Sequence, residues 1–291
     1  RIDTGQVERP DQLANLMAFK SAGVRCSLNP LVNLRDKSWK DQVDLAVKEG
    51  ADIVELTGVT VGPRWLMEGA LDAYSREGVT LVTEGIRYVK SNYDIPVSVG
   101  PTNLTRGPEN FELAKKCFKA YVDEGADRIS VTDSRGVASP AAIHYMVDEL
   151  KSSVGRTPIS VHLHNDFGLA LANAVAAVEA GAEWVDTSVN GLGERAGVTA
   201  LEEIACTLEM LYGIETGIKL QRLYDLSEMV ERASGVKVYQ YKPIVGRHLW
   251  YEDSSDFFCL TSFAGGTLTY SGMSHLKETG KILRRQTYRT E

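Results

Sequence analysis

The chain has 291 residues, of which 43% are apolar and 24% charged, and its formal net charge is −7. That length accommodates one barrel-sized domain with an appendage, and no apolar run approaches the ~20 residues of a membrane span. The acidic balance, with no dense basic stretch before the C-terminus, argues against nucleic acid as a partner. Arg1-Ile2-Asp3-Thr4 lacks the basic-then-apolar order of a secretory signal. Cys26, Cys117, Cys206 and Cys259 are scattered with no C-x-x-C pair, so they read as reduced, packed thiols of a cytoplasmic protein.

In chain order, strands are expected at 1–5, 24–29, 52–58, 95–100, 128–133, 159–164 and 184–190. Helices are expected at 10–22, 39–49, 74–92, 108–124, 140–154 and 169–180. Ser139-Pro140 is a strong helix start, with serine at the N-cap and proline at the first helical position. One phrase recurs: a helical run ends in Gly-Ala-acid and an apolar strand follows. It appears at Gly50-Ala51-Asp52, Gly125-Ala126-Asp127 and Gly181-Ala182-Glu183. A helix C-cap glycine feeding a buried strand, repeated, predicts parallel strands with helical crossovers. Seven strands are one short of a (β/α)8 TIM barrel.

The repeat stretches between Gly58 and Gly85, where a long loop after a strand can cover a site. Beyond 201–211, Leu220, Leu223, Leu226, Met229, Val230 and Ala233 recur at helical spacing, which predicts an amphipathic helix serving core or dimer interface. Past Gly235 the chain is irregular and aromatic, and its last segment, with Lys277, Lys281, Arg284, Arg285 and Arg289, reads as a solvated basic helix. The expected division is therefore a TIM-barrel catalytic domain over 1–213 and a small C-terminal helical subdomain over 214–291.

Four features fall at the C-terminal ends of strands, the rim where such barrels keep their chemistry. His162-Leu163-His164 places two imidazoles on one strand face about 7 Å apart, close enough to converge on one divalent metal. Asn190-Gly191-Leu192-Gly193-Glu194-Arg195-Ala196-Gly197 lets backbone approach a ligand and offers N–H groups to anionic oxygens. Asp133-Ser134-Arg135-Gly136 supplies a hydroxyl, and Gly100-Pro101-Thr102-Asn103 is the fourth rim segment. For Glu194 and Arg195, a salt bridge holding the loop and a direct role weigh equally.

The run from His162 to Ala170, then Asn173, then Asn190 to Gly197, resembles the 2-isopropylmalate synthase/homocitrate synthase family. More broadly it resembles the metal-dependent TIM-barrel enzymes that include 3-hydroxy-3-methylglutaryl-CoA (HMG-CoA) lyase. Lys242-Pro243-Ile244-Val245-Gly246 resembles the start of the C-terminal subdomain of the synthases. The resemblance implies an enzyme, an acyl-CoA:2-oxo acid acyltransferase that forms a carbon–carbon bond by Claisen-type condensation. It implies a divalent metal (Mn2+, Mg2+ or Zn2+) on His162 and His164, with Ser134, Glu194 and His248 as catalytic candidates. Asn103, Arg135, Asn190, Gly191, Gly193 and Arg195 are the substrate-binding candidates. The partners implied are the acyl-CoA, the 2-oxo acid and a second copy in a homodimer, without nucleic acid or membrane. A third metal ligand and a catalytic arginine are expected from a strand upstream of Arg1. Val198 stands where isopropylmalate synthases place a metal-binding asparagine, Gly100-Pro101-Thr102-Asn103 departs from the family's Ser-x-Glu-Asp, and Glu252 replaces the usual subdomain histidine. The alternatives are a lyase or aldolase of the same superfamily, or a catalytically altered homologue acting as a binding subunit.

Overall fold

A computed structural model describes residues 2–6, 28–61, 72–106 and 111–247. These residues fall into two compact units. The first runs through Leu163 and resumes over Ala176–Asp186; the second comprises His164–Val175 and the described residues from Thr187 onward.

The first unit holds the whole sheet. Strands β1 (Ile2–Gln6), β2 (Leu28–Asn33), β3 (Val54–Thr57), β4 (Val97–Val99), β5 (Arg128–Asp133), β6 (Ile159–Leu163) and β7 (Trp184–Val185) lie in that order. Every neighbouring pair is parallel. Helices α1 (Trp39–Lys48), α2 (Arg76–Asn92), α3 (Phe111–Asp123), α4 (Pro140–Val154) and α5 (Ala170–Glu179) fill the crossovers from β2 to β7. Sequential parallel strands with helical crossovers define the TIM-barrel class; an eighth strand does not occur among the described residues. The expected helix at 10–22 lies outside them.

The Gly-Ala-acid phrase has a physical basis in three places. Gly50, Gly125 and Gly181 take φ of 82°, 111° and 99°, a left-handed cap that a Cβ would strain. The following alanine N–H then bonds five residues back, to Ala46, Tyr121 and Ala177 respectively, closing a Schellman turn. The acid ties the neighbouring strand. Asp127 donates its N–H to Val97 O at 2.8 Å and accepts Val97 N–H on Oδ2 at 2.7 Å. Glu183 repeats this with Ile159, at 3.0 and 2.9 Å. At these two helix ends the acid thus fixes the following strand against its neighbour.

Alternation divides the strands into an apolar and a polar face. Val54, Leu56, Val97, Val99, Ile129, Val131, Ile159, Val161 and Leu163 are buried with the inner faces of the helices, among them Ile86, Phe118, Ile143 and Leu150. The other face carries Glu55, Ser98, Arg128, Ser130 and Ser160. Arg128 donates to Ser98 Oγ at 3.0 Å and to Glu55 Oε2 at 3.1 Å, and its guanidinium lies 5.5 Å from the Trp184 ring centroid. Cys117 and Cys206 are free and buried, and desolvation pushes their thiols up to about 11 and about 12. Cys26 and Cys259 lie outside the described residues.

Two expectations need correction. The strand expected over 184–190 stops at Val185, and Val189–Gly191 is a kinked turn whose central Asn190 takes a left-handed φ of 63°, which neither a strand nor a regular helix admits. The amphipathic helix splits into a 3-10 turn at Leu220–Arg222 and α7 (Leu223–Ser234), α6 being Leu201–Cys206. Its buried face runs through Leu223, Ser227 and Glu231, while Met229 is 57% exposed and Ala233 faces solvent. Polar partners account for that rotation. Glu231, 5% exposed, accepts from Lys237 Nζ, Arg247 Nη2 and the Val238 N–H. Lys237 beside it holds the Glu231 carboxyl below the usual range. Leu220 and Leu223 do pack as expected, with Ala205, Cys206, Met210 and Val245.

Candidate active site

Parallel order brings the loops after β3, β4 and β5 to one rim of the first unit. Thr102 N–H bonds Val59 O at 3.1 Å, and Val61 N–H returns to Thr102 O at 2.9 Å. Asn103, at φ 58°, donates its N–H to Ser134 Oγ at 2.9 Å and its Nδ2 to Thr60 Oγ1 at 3.1 Å. The sequence nominates Asn103 and Ser134 separately, and the structure brings them together. Asn103 Oδ1 is buried with no hydrogen-bond partner among the described residues. Arg135 is exposed at the turn. Asp133, fully buried, accepts from Thr105 Oγ1 at 2.7 Å, Val137 N–H at 3.2 Å and Ala138 N–H at 2.9 Å, and so shapes the loop that carries Ser134.

His162 lies on β6 with its side chain 37% exposed, and its Nδ1 is 3.3 Å from Asp186 Oδ2. His164 is the first residue past β6. It belongs to the second unit, is 7% exposed and forms an antiparallel bridge with Val198. Asn165 N–H then bonds Gly197 O at 2.9 Å, and Asn165 Oδ1 accepts the Ala170 N–H at the start of α5, at 3.1 Å.

In the second unit the glycine-rich loop folds back on itself, and its glycines are a steric requirement. A Cβ on Gly197, at φ 84°, would sit 1.8 Å from Gly191 O. Gly193 would meet the Gly197 backbone at 3.2 Å, and Gly191, at φ 71°, would meet Val198 O at 3.3 Å. The loop is clamped by Arg195, whose Nε and Nη2 bond the two Asp166 oxygens at 2.7 and 3.0 Å. That guanidinium holds the Asp166 carboxyl below its ordinary range, and Asp166 raises Arg195 in return. Glu194, its side chain 80% exposed, also reaches Arg195, at 3.2 Å.

Asn190 is committed to its surroundings. Its N–H bonds Glu202 Oε2 at 3.0 Å, its Nδ2 bonds Ser227 O at 3.1 Å, and its Oδ1 accepts Ser227 Oγ at 2.5 Å. Glu202 is 1% exposed and lies 3.2 Å from Lys242 Nζ, which also pairs with Glu203. Beside these groups is a cavity of about 280 Å³, lined among others by Asn165, Asn190, Val198, Glu203, Tyr239 and Lys242. His248 lies outside the described residues, as do Glu252 and the basic C-terminal segment.

Asp133, Asp186 and Glu202 were not nominated from the sequence. Each had a signal: an acid ending or directly following an apolar strand, or one inside an apolar helical run. Among the described residues no group of three or more His, Cys, Asp or Glu side chains is placed to hold a metal ion. The donor chemistry of His162 nevertheless fits, since a histidine backed by a carboxylate is a common arrangement at metal sites. No helix among the described residues is long and apolar enough to cross a membrane.

Fold and rim define a TIM-barrel architecture with His162 and His164 at the end of the sixth strand described and a glycine-rich loop beyond the seventh. The HMGL-like family pattern matches residues 27–230, and the chain belongs to that family. It is 38% identical to the 2-isopropylmalate synthase of Methanocaldococcus jannaschii over 79% of this chain and 43% of that protein. It is likewise 38% identical to a putative (R)-citramalate synthase of Methanopyrus kandleri, over 74% of this chain and 42% of that one. The chain thus spans less than half the length of these relatives. The hydroxymethylglutaryl-CoA lyase of Pseudomonas aeruginosa has the same fold, with a TM-score of 0.65, 19% identity and coverage of 82% of this chain and 80% of its own.

Proposed function

We propose that this protein joins an acyl-CoA to a 2-oxo acid by Claisen-type condensation, after which water hydrolyses the product thioester and releases free CoA. The observation that carries the reading is the ordered pairing of His162-Leu163-His164 at the end of β6 with the Asn190–Gly197 loop beyond β7, in a chain whose curated relatives are named as 2-isopropylmalate and citramalate synthases. His162 and His164 would hold a divalent cation (Mn2+, Mg2+ or Zn2+), which when bound would supply Lewis-acid polarisation of the oxo-acid carbonyl. Ser134 Oγ would donate its hydrogen to an oxygen of the oxo acid, Asn103 would orient that hydroxyl through the N–H it gives to Ser134 Oγ, and Arg135 would offer a charge for the carboxylate. Asn190 positions the loop backbone, and Gly191 and Gly193 let that backbone approach the acyl-CoA; Arg195 keeps the loop closed through Asp166. Glu194 would accept the α-proton of the acyl group at its carboxylate, and His248 is the second acid–base group. A catalytic barrel over 1–213, a helical subdomain over 214–291, dimerisation through that subdomain and a cytoplasmic location complete the reading.

The test is thiol release from acetyl-CoA, followed with a chromogenic disulfide across a panel of 2-oxo acids with Mn2+ or Mg2+. Oxo-acid-dependent release supports condensation. Metal-dependent cleavage of a hydroxy acid without net CoA release would assign the lyase direction instead.

A further inference from the structure

The sheet rim carries a carboxylate that the proposed reaction leaves without a role. β6 pairs with β7 through Val161 and Val185, so the next residues, His162 and Asp186, are neighbours across the two strands. Asp186 donates its N–H to Val161 O at 2.9 Å, which fixes its backbone against β6 directly before the histidine. Its Oδ2 then lies 3.3 Å from His162 Nδ1, with the two side chains 28% and 37% exposed.

We propose that Asp186 is the positioning residue of His162: it keeps the ring proton on Nδ1, sets the ring's orientation and makes Nε2 the ligand nitrogen. A neutral imidazole carries its proton on one nitrogen and a lone pair on the other. With the proton on Nδ1, the contact is a charge-assisted hydrogen bond, about twice as strong as a neutral one. With the proton on Nε2, a lone pair would face the carboxylate. The same contact raises the basicity of Nε2 toward a cation. Because the backbone bond to Val161 is independent of the side chain, a substitution at Asp186 can remove the carboxylate while the strand pairing stays. The inference rests on the metal reading of the histidine pair, but the tautomer it requires exists without metal.

Two measurements test it on the whole chain. The first is 15N-detected NMR of the metal-free protein at a pH where the imidazole is neutral, with His162 assigned by loss of its signals in His162→Gln. The Nδ1-protonated form is expected to dominate, and Asp186→Ala should shift the population toward Nε2–H. The second is calorimetric titration with Mn2+, in which Asp186→Asn should weaken binding about 10–100-fold. A wild-type ring protonated on Nε2 overturns the proposal, as does an Asp186→Asn variant with unchanged metal affinity. A wild-type protein that binds no divalent cation refutes the metal reading instead, and the tautomer then decides the role of Asp186 alone.

Discussion

Asn190 is where a structural and a substrate-binding role can be separated most sharply. Its side chain exchanges two hydrogen bonds with Ser227, which is 2% exposed on α7. Asn190→Ala removes both, each with a net contribution of about 0.5–1.5 kcal/mol, and leaves the buried Ser227 hydroxyl without its acceptor, at about 1–3 kcal/mol. The left-handed backbone, φ 63°, adds about 1 kcal/mol because alanine tolerates it less well than asparagine. These contributions overlap, so about 3 kcal/mol is expected from urea unfolding followed by circular dichroism, or a melting temperature lower by roughly 6–12 °C. Ser227→Ala completes a double-mutant cycle, in which a coupling of about 1 kcal/mol or more is expected for residues in contact. If Asn190→Ala stays within about 0.5 kcal/mol of wild type while the KM for the oxo acid rises tenfold, the reasoning is refuted and the amide serves substrate.

Gly197→Ala should displace the loop, since its Cβ would stand 1.8 Å from Gly191 O, and faster hydrogen exchange at Asn165 and Val198 would report it. Gly168→Ala, with φ 72° and nothing within 4 Å, should cost only backbone strain of about 1–2 kcal/mol. Arg128→Met should destabilise by about 3–5 kcal/mol in denaturant, because it removes one partner of a largely buried ion pair. His162→Ala should abolish divalent-cation binding in calorimetry yet change unfolding stability by less than about 1 kcal/mol, since the side chain is 37% exposed. Asp166 has a depressed carboxyl, so the Arg195 clamp contributes fully above the ordinary range near about 4 and is lost as pH falls through the lower folded value. Loop protection factors, which remove the intrinsic pH dependence of amide exchange, should therefore hold steady down to about pH 5 and fall only in stronger acid, a dependence absent from Asp166→Asn.

The sheet was readable because its signals are local. A C-cap glycine, an alanine and an acid announce the ends of α1, α3 and α5 within three residues, and β5 and α4 coincide with the expected 128–133 and 140–154. Where the determinant is distant in sequence, the reading failed. Glu231 looks like a solvent-facing acid until Lys237 and Arg247 are seen beside it, and that pairing turns α7 away from its apolar stripe. Asp186 is only the fifth residue after a repeat glycine until strand register sets it against His162. Glu202 gains its meaning from Lys242, forty residues on. Glycine-rich composition marked a loop whose backbone can approach a ligand, and the close approach present in the structure is of Gly197 to the loop's own backbone.

Backbone strain links the nominated residues more tightly than their chemistry does. Among the described residues, four that are not glycine take a left-handed φ: Asn103, Asn190, Arg195 and Ile244. Three of these are substrate-binding candidates, and such conformations persist only where surrounding contacts over-determine them. The contacts are on hand in each case. Asn103 is held by Ser134 and Thr60, Asn190 by Glu202 and Ser227, and Arg195 by both oxygens of Asp166. Ile244, at φ 69°, is the least tolerant of the four because its side chain is β-branched. It is braced by Val245 N–H to Pro243 O at 2.8 Å and Gly246 N–H to Lys242 O at 2.9 Å, with Val245 buried in the core of the second unit. Those bonds fix the backbone around Lys242, whose ammonium neutralises Glu202, the acceptor of the Asn190 N–H. The strained turn at Ile244 and the strained loop at Asn190 are thus two ends of one chain of contacts, Ser227–Asn190–Glu202–Lys242. Glu202→Gln should loosen both ends together, and faster exchange of the Asn190 and Gly246 amides is the measurement that would show it.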